Sequence, residues 1–242
     1  IIGRHKTDED DDLINSTSID AKGSVSAQFI QYADIICGDN VTVNEYISHS
    51  QLQVANNTWV GSPEKEQPDG KLFNTYVQSG GAVYTGTLGS LGDTSTSITF
   101  DYWLTIYDSL KTKVDERKAL LINRINKIES FYSLIINKEP QNTSLIKRTE
   151  KALRLHLIQL AKLNMKLFAV LAKKKASTER HLVQAYDVIY SGTNININGH
   201  VCEFAHRKPG STISCNNNKI LVEPITVLSN ESNAKEELSI DN

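Results

Sequence analysis

Apolar runs that recur at steps of 16 or 17 residues constrain this chain more than any other feature. Val25 matches Val41, Ile30 matches Ile47, Ile35 matches Leu52 and Val43 matches Val60, at offsets of 16, 17, 17 and 17. Turn-like triplets keep the same step at Ala21-Lys22-Gly23, Cys37-Gly38-Asp39 and Ala55-Asn56-Asn57. Between turns the residues alternate apolar and polar, the two-residue period of a half-buried strand. This repeat is too short for a propeller blade or a helical repeat. It fits one coil of a parallel β-helix built from three short strands. One coil cannot bury its own apolar side, so several must stack. A small β-sandwich with coincidental spacing is the alternative. Sandwich hairpins favour Asn-Gly or Asp-Gly turns. The one Asp-Gly, Asp69-Gly70, falls in an irregular stretch, 62–70, which reads as a loop expelled from a coil.

After Asp101 the period changes. Val114, Leu121, Ile128 and Ile135 are spaced by seven, the seam of one long helix, which Pro140 ends. Thr143 or Ser144 offers an N-cap for a second helix. Its seam reads Leu153, Leu157, Leu160, Asn164, Leu167, Leu171 and Lys174, in alternating steps of four and three. Asn164 on that seam fixes register, or faces water if the helix is slightly rotated. A second stripe (Leu155, Ile158, Met165, Phe168, Ala169, Ala172) asks for a further partner. A short link makes the two helices antiparallel, each roughly 50–60 Å long. Strand alternation returns at Val188-Ile189-Tyr190, Asn194–Asn198, Thr212–Cys215 and Ile220–Val222, placed to cap the open edge of the coils.

The fold class is therefore α+β: a parallel β-helix (β-solenoid) interrupted by a long antiparallel α-helical coiled-coil hairpin. The expected organisation is a disordered acidic leader at 1–12, β-solenoid at 13–101, hairpin at 102–186, returning strands at 187–228 and a mobile tail at 229–242.

Composition matters mainly through its distribution. The formal net charge is −2, but Lys111–Ala185 holds 17 Lys and Arg against 6 Asp and Glu, a net of +11, leaving −13 elsewhere. Either these are two solvated surfaces, or the basic part of one molecule docks on the acidic part of another. Three cysteines (Cys37, Cys202, Cys215) are too few for a disulfide framework and lack zinc spacing. The run Asp8–Asp12 lacks the glycine and spaced ligands of a calcium loop. Gly86–Gly92 lacks the order of a phosphate cradle. Lys173-Lys174-Lys175 reads as a solvated face; binding of anionic lipid or nucleic acid there has little support, because no aromatic residues interleave it. No stretch is expected to approach the ~20 apolar residues of a membrane span. With no initiator Met and no charged-then-apolar signal segment, the reading is of a cytoplasmic piece of a longer protein.

Some blocks are distinctive: Gly23–Ile30, then Asn44-Glu45-Tyr46-Ile47-Ser48-His49-Ser50, then Gly80-Gly81-Ala82-Val83 with Gly86–Ser90, and Gly192-Thr193-x-Ile195-x-Ile197 after the helices. Together they resemble the flagellar assembly protein A family of bacteria, over about 13–225. The resemblance implies a cytoplasmic β-solenoid protein tied to flagellum assembly, with a helical hairpin and no established catalytic residues. The chain departs from the family pattern in its acidic loop at 62–70 and in placing Asn40, Asn56 and Asn57 at turns. Asn there is expected to tolerate left-handed backbone.

Two enzymatic alternatives use residues of the solenoid wall. One uses His49 as a base on the solenoid wall, as in solenoid acyltransferases. The other uses Asp34, Asp39 and Glu45 as paired carboxylates of a carbohydrate-active enzyme. The first lacks a glycine in nearly every coil, and no spacing demands the second. The reading is a non-enzymatic scaffold without cofactor, with Asn164, Phe168, Lys173, Lys174, Lys175, Glu45, Tyr46 and His49 as candidate interaction residues. Its expected partners are proteins of the flagellar or cell-pole machinery, or other copies of itself joined through basic hairpin and acidic solenoid. A regulatory binding module using the hairpin tip, Ile136 to Leu145, is the runner-up.

Overall fold

A computed structural model describes residues 1–2, 17–92 and 95–225. Most of the expected leader, including Asp8–Asp12, and the expected tail at 229–242 lie outside the described residues. The elements are β1 (Thr17–Ala21), β2 (Val25–Gln31), β3 (Ala33–Cys37), β4 (Val41–Ser48), β5 (Gln51–Val54), β6 (Thr58–Val60), β7 (Lys71–Phe73), β8 (Tyr76–Ser79), β9 (Val83–Leu88) and β10 (Thr96–Thr99). Two helices follow, α1 (Tyr102–Lys138) and α2 (Thr143–Thr178), and then β11 (Leu182–Ile189), β12 (Thr193–Ile197), β13 (His200–Phe204), β14 (Lys208–Asn216) and β15 (Lys219–Pro224).

The strands form two sheets, one ordered β1-β3-β5-β8-β10-β12-β13, the other β15-β14-β11-β9-β6-β4-β2 with β7 beside β4 and β9. From β1 to β12 the chain visits one sheet and then the other, and each segment pairs in parallel with the segment one repeat away. All four matches read from the sequence are register partners: Val25 with Val41, Ile30 with Ile47, Ile35 with Leu52 and Val43 with Val60. The odd offset of 16 has a cause. Ala27 pairs Val43 but Phe29 pairs Tyr46, so a one-residue bulge in β4 turns 16 into 17. The sequence suggested three strands per repeat; the structure has two. β4 runs unbroken through Ser48, and a separate third strand, β7, exists only where the loop at 62–70 splits its sheet. In that loop Asp69 accepts from the Ser62 amide at 3.0 Å and pairs with Lys65, which holds its carboxyl below the usual range.

The core is a column of inward side chains. Ile30, Ile47 and Leu72 stack on one side, and Ile35, Leu52, Val77, Ile98 and Ile195 on the other, none more than 1 % exposed. Polar columns hold the corners. The Asn57 amide donates to Asn40 Oδ1 at 3.1 Å, and the Ala82 amide to Asn57 Oδ1 at 2.8 Å. Ser24 Oγ and Asn56 Nδ2 each donate to the Asp39 carboxylate at 2.7 Å, and these bonds, Ser24 foremost, lower its pKa. Asn40, Asn56 and Asn57 thus serve the corner through side-chain bonds rather than left-handed backbone. Left-handed backbone falls at the other corner, where Tyr32 (φ 51°), His49 (φ 47°), Asn74 (φ 47°) and Gly89 (φ 83°) are each the first residue after a strand of the second sheet, and again in the turns of the last strands at Asn198, Gly199, Asn217 and Asn218.

Among the described strands, antiparallel pairing is confined to the last strands. β13 pairs β12, β14 pairs β11, and β15 pairs β14. β13 was not anticipated, because His200 and Glu203 blur its alternation. The helix also ends sooner than the expected 186: α2 stops at Thr178 and β11 begins at Leu182, burying Val183 and Ala185 in the column.

Truncating the column should be costly at one position and cheap at its neighbour. Leu52→Ala is expected to lower stability in urea denaturation by about 2–5 kcal/mol. Ile36→Ala, on the outer side of β3, is expected to cost under about 0.5 kcal/mol. Equal losses would contradict the assignment of inner and outer faces.

A candidate docking arm and its anchorage

The helices enter between β10 and β11, where each earlier repeat turns from one sheet to the other. Asp101, the N-cap of α1, makes no cap bond with its side chain. Its Oδ1 instead accepts from Gln78 Nε2 at 3.0 Å and from Thr99 Oγ1 at 2.8 Å, tying the helix start to β8 and β10. Trp103 Nε1 donates to the Ala55 carbonyl at 2.8 Å, across two repeats. Gly80 makes room for this contact: a Cβ there would lie 2.2 Å from the Ala55 oxygen and 2.6 Å from Trp103 Nε1. Tyr102 is buried beside it, and burial, with Cys37 and Asp20 nearby, raises its phenol pKa.

The returning helix closes on the same place. Lys173 Nζ lies 4.9 Å over the Trp103 ring, and Lys174 Nζ lies 5.1 Å over Tyr107. Two lysines read as a solvated run therefore place their ammonium groups over aromatic faces; Lys174 is half-buried there, while Lys173 and Lys175 stay exposed. A cavity of about 470 Å³ opens beside them, lined by Phe100, Trp103, Lys174, His181, Asn196 and Asn198 among others. His181 stacks on Phe100 at 4.9 Å, and its Nδ1 meets Asn198 Oδ1 at 3.0 Å. Burial pulls the His181 pKa down, and the Asn198 bond offsets part of that.

Toward the far end, Tyr132 donates to Glu150 Oε1 at 3.0 Å, so α1 and α2 run in opposite directions. In α1, Val114, Leu121 and Ile135 are buried and Ile128 half-buried, as the seven-residue spacing requires. In α2 the seam is rotated from the one expected. Leu153, Leu160, Leu167 and Lys174 belong to it, but Leu157 and Leu171 are 47 % and 39 % exposed. His156, Leu163 and Val170 take the alternate places, each half-buried, with Asn164 at the seam's flank. The rotation is what brings Glu150 to Tyr132 and Lys174 over Tyr107. It turns Ile158, Met165 and Phe168 outward, Met165 to 70 % and Phe168 to 68 % exposure. By length and composition α2 is also apolar enough to cross a bilayer, with mean hydropathy 1.3 over 18 residues, which corrects the expectation that no such stretch exists. A groove near the far end is lined by Lys127, Ile128, Phe131, Arg148, Thr149 and Ala152.

Glu45, Tyr46 and His49 sit on the wall, on β4 and the corner after it, not on the helices. Glu45 accepts from Gln28 Nε2 at 2.7 Å, and Tyr46 stacks on Phe29 with centroids 5.3 Å apart and rings 10° from parallel. His49 lies 4.8 Å from the Tyr32 ring and edge-on to Phe73 at 6.3 Å. These are ladder contacts between repeats. The anchorage residues Gln78, Trp103, Tyr107, His181 and Asn198 were not singled out from sequence. A tryptophan in the first turn after a strand was the one available sign.

A family model described as "Flagellar Assembly Protein A beta solenoid domain" matches residues 1–220. No curated protein and no solved structure matches the chain.

Two outcomes follow from the anchorage. Trp103→Ala should raise amide exchange at both helix bases, 102–107 and 173–178, while leaving the 128–150 end unchanged. Because His181 is harder to protonate folded than unfolded, the unfolded chain binds the extra proton first. Stability should therefore fall as pH drops below about 6.5, and His181→Gln should flatten that slope in denaturation from about pH 7 to 5. An unchanged slope would remove His181 from the account.

Proposed function

The chain belongs to the flagellar assembly protein A β-solenoid family, and from that membership we propose that it is a cytoplasmic, non-catalytic scaffold. In this reading the two sheets are the walls of a parallel β-helix, and α1 with α2 is a coiled-coil arm fixed to it. The repeats give a rigid body, and the arm carries the docking function. The observation that carries the reading is the charge division, +11 over Lys111–Ala185 against −13 elsewhere, on a helix pair held at its base by Trp103 and Asp101.

Opposite charge on separate parts of one chain favours contact between copies, arm to acidic surface. Twelve of the 22 acidic residues outside Lys111–Ala185 lie among the described residues. A second reading, a regulatory module that captures a protein at the far end of the arm, is favoured by the groove at Phe131, whose mouth carries Lys127 and Arg148. Its partner would be an apolar segment bearing acidic residues.

Sedimentation velocity separates the two. Self-docking predicts concentration-dependent association at 50 mM salt that disappears at 500 mM, since exposed charges are screened over about 10 Å at 0.1 M. A monomer at every concentration and salt overturns self-docking. Phe131→Glu should then decide for the groove, abolishing partner capture while the wild-type chain retains it.

A further inference from the structure

The geometry points to the outward face of α2 as a binding surface for an anionic phospholipid bilayer, with the helix lying in the headgroup plane rather than crossing it. This goes beyond the scaffold reading and does not depend on it, because the groove at Phe131 and the α1–α2 seam are left free.

Three observations converge. First, Ile158, Met165 and Phe168 with Ala161 and Ala172 recur in steps of three and four along the face turned away from α1. The contact with α1 consumes the other face, so nothing described in the chain covers this one. Second, between Glu150 and Glu179 the helix carries seven Lys or Arg residues and no Asp or Glu. Lys151, Lys162 and Lys166 fall along one border of the apolar stripe at helical spacing. An apolar stripe bordered by lysines is the pattern of an interfacial helix, whose stems lie along apolar surface while the ammonium groups reach phosphate. Third, the same composition argues against the alternatives. A mean hydropathy of 1.3 would allow a span, but Lys162 and Lys166 fall near its middle, where a charge in hydrocarbon is costly. A second copy seated on the same stripe would bring lysine borders together without an acidic residue between Glu150 and Glu179 of either copy to neutralise them.

Vesicle flotation with the whole chain tests this. Vesicles of phosphatidylcholine with about one third phosphatidylglycerol are compared with phosphatidylcholine alone, at low and high salt. Binding to the anionic vesicles is expected, at least tenfold weaker on neutral ones. Met165→Glu with Phe168→Glu should abolish it. Lys162→Glu with Lys166→Glu, which leaves the stripe intact, should reduce it at least tenfold. All these positions are exposed, and helicity by circular dichroism checks folding. Equal binding to both vesicle types, binding to neither, or wild-type binding by both double variants overturns the proposal. So does protein that resists extraction by alkaline carbonate, which would mark a span, or a dimer dispersed by the Met165/Phe168 variant without any vesicle binding. The salt-dependent association in lipid-free solution is a separate result, so either reading can fail alone.

Discussion

Everything in this molecule depends on parallel backbone pairing between successive repeats. A strand's amides and carbonyls on one edge are satisfied only by the strand one repeat away, and the apolar column forms only if that pairing keeps inward residues inward. A slip of one residue would send Ile35 and Leu52 outward and bring Ile36 and Gln53 in. The column of side chains and the column of hydrogen bonds are thus one constraint. The corners enforce it as well: Asn40 and Asn57 each spend a side-chain oxygen on the backbone of the next repeat, which fixes spacing where no strand does so.

The same constraint explains where extra sequence is tolerated. Register between β4 and β7 jumps to 25 residues because the loop at 62–70 is inserted, yet Ile47 still meets Leu72. Between β9 and β11 it jumps to 100, and Val83 still meets Val183. The helices are the largest insertion at a corner, and the walls on either side continue as if it were absent. What the insertion adds is a contact of its own. Gly80 exists as glycine so that Trp103 can reach Ala55, and the arm is therefore seated against several repeats rather than hung from two chain crossings.

This division also sets what could be read from the sequence. Periodic features were legible, because burial repeats them: four register pairs, the seven-residue seam of α1 and the strands around Ile195 and Ile213 follow from spacing. Features that depend on rotation or on single contacts were not. The seam of α2 reads from spacing through Leu157, Asn164 and Leu171, whereas the structure keeps Leu153, Leu160 and Leu167 and replaces the others with His156, Leu163 and Val170. The rotation goes with contacts that spacing does not announce, Lys174 over Tyr107 and Glu150 with Tyr132. His49 looked chemical because histidine often is; its place is set by a left-handed corner and two aromatic neighbours. The anchorage at Trp103 joins residues 48 apart without any repeat to announce it.

The pairing of Val83 with Val183 carries a consequence for how the chain is made. Earlier repeats close over short segments, so they can assemble in order as synthesis proceeds. The β9–β11 closure must wait for about a hundred intervening residues, a large entropic step if they were a random coil. Two helices that fold locally and return their ends to one spot shorten that search, since they deliver β11 beside β9. The arm is then also a folding device: it sets the time at which the final strands can seal the exposed edge of the growing stack.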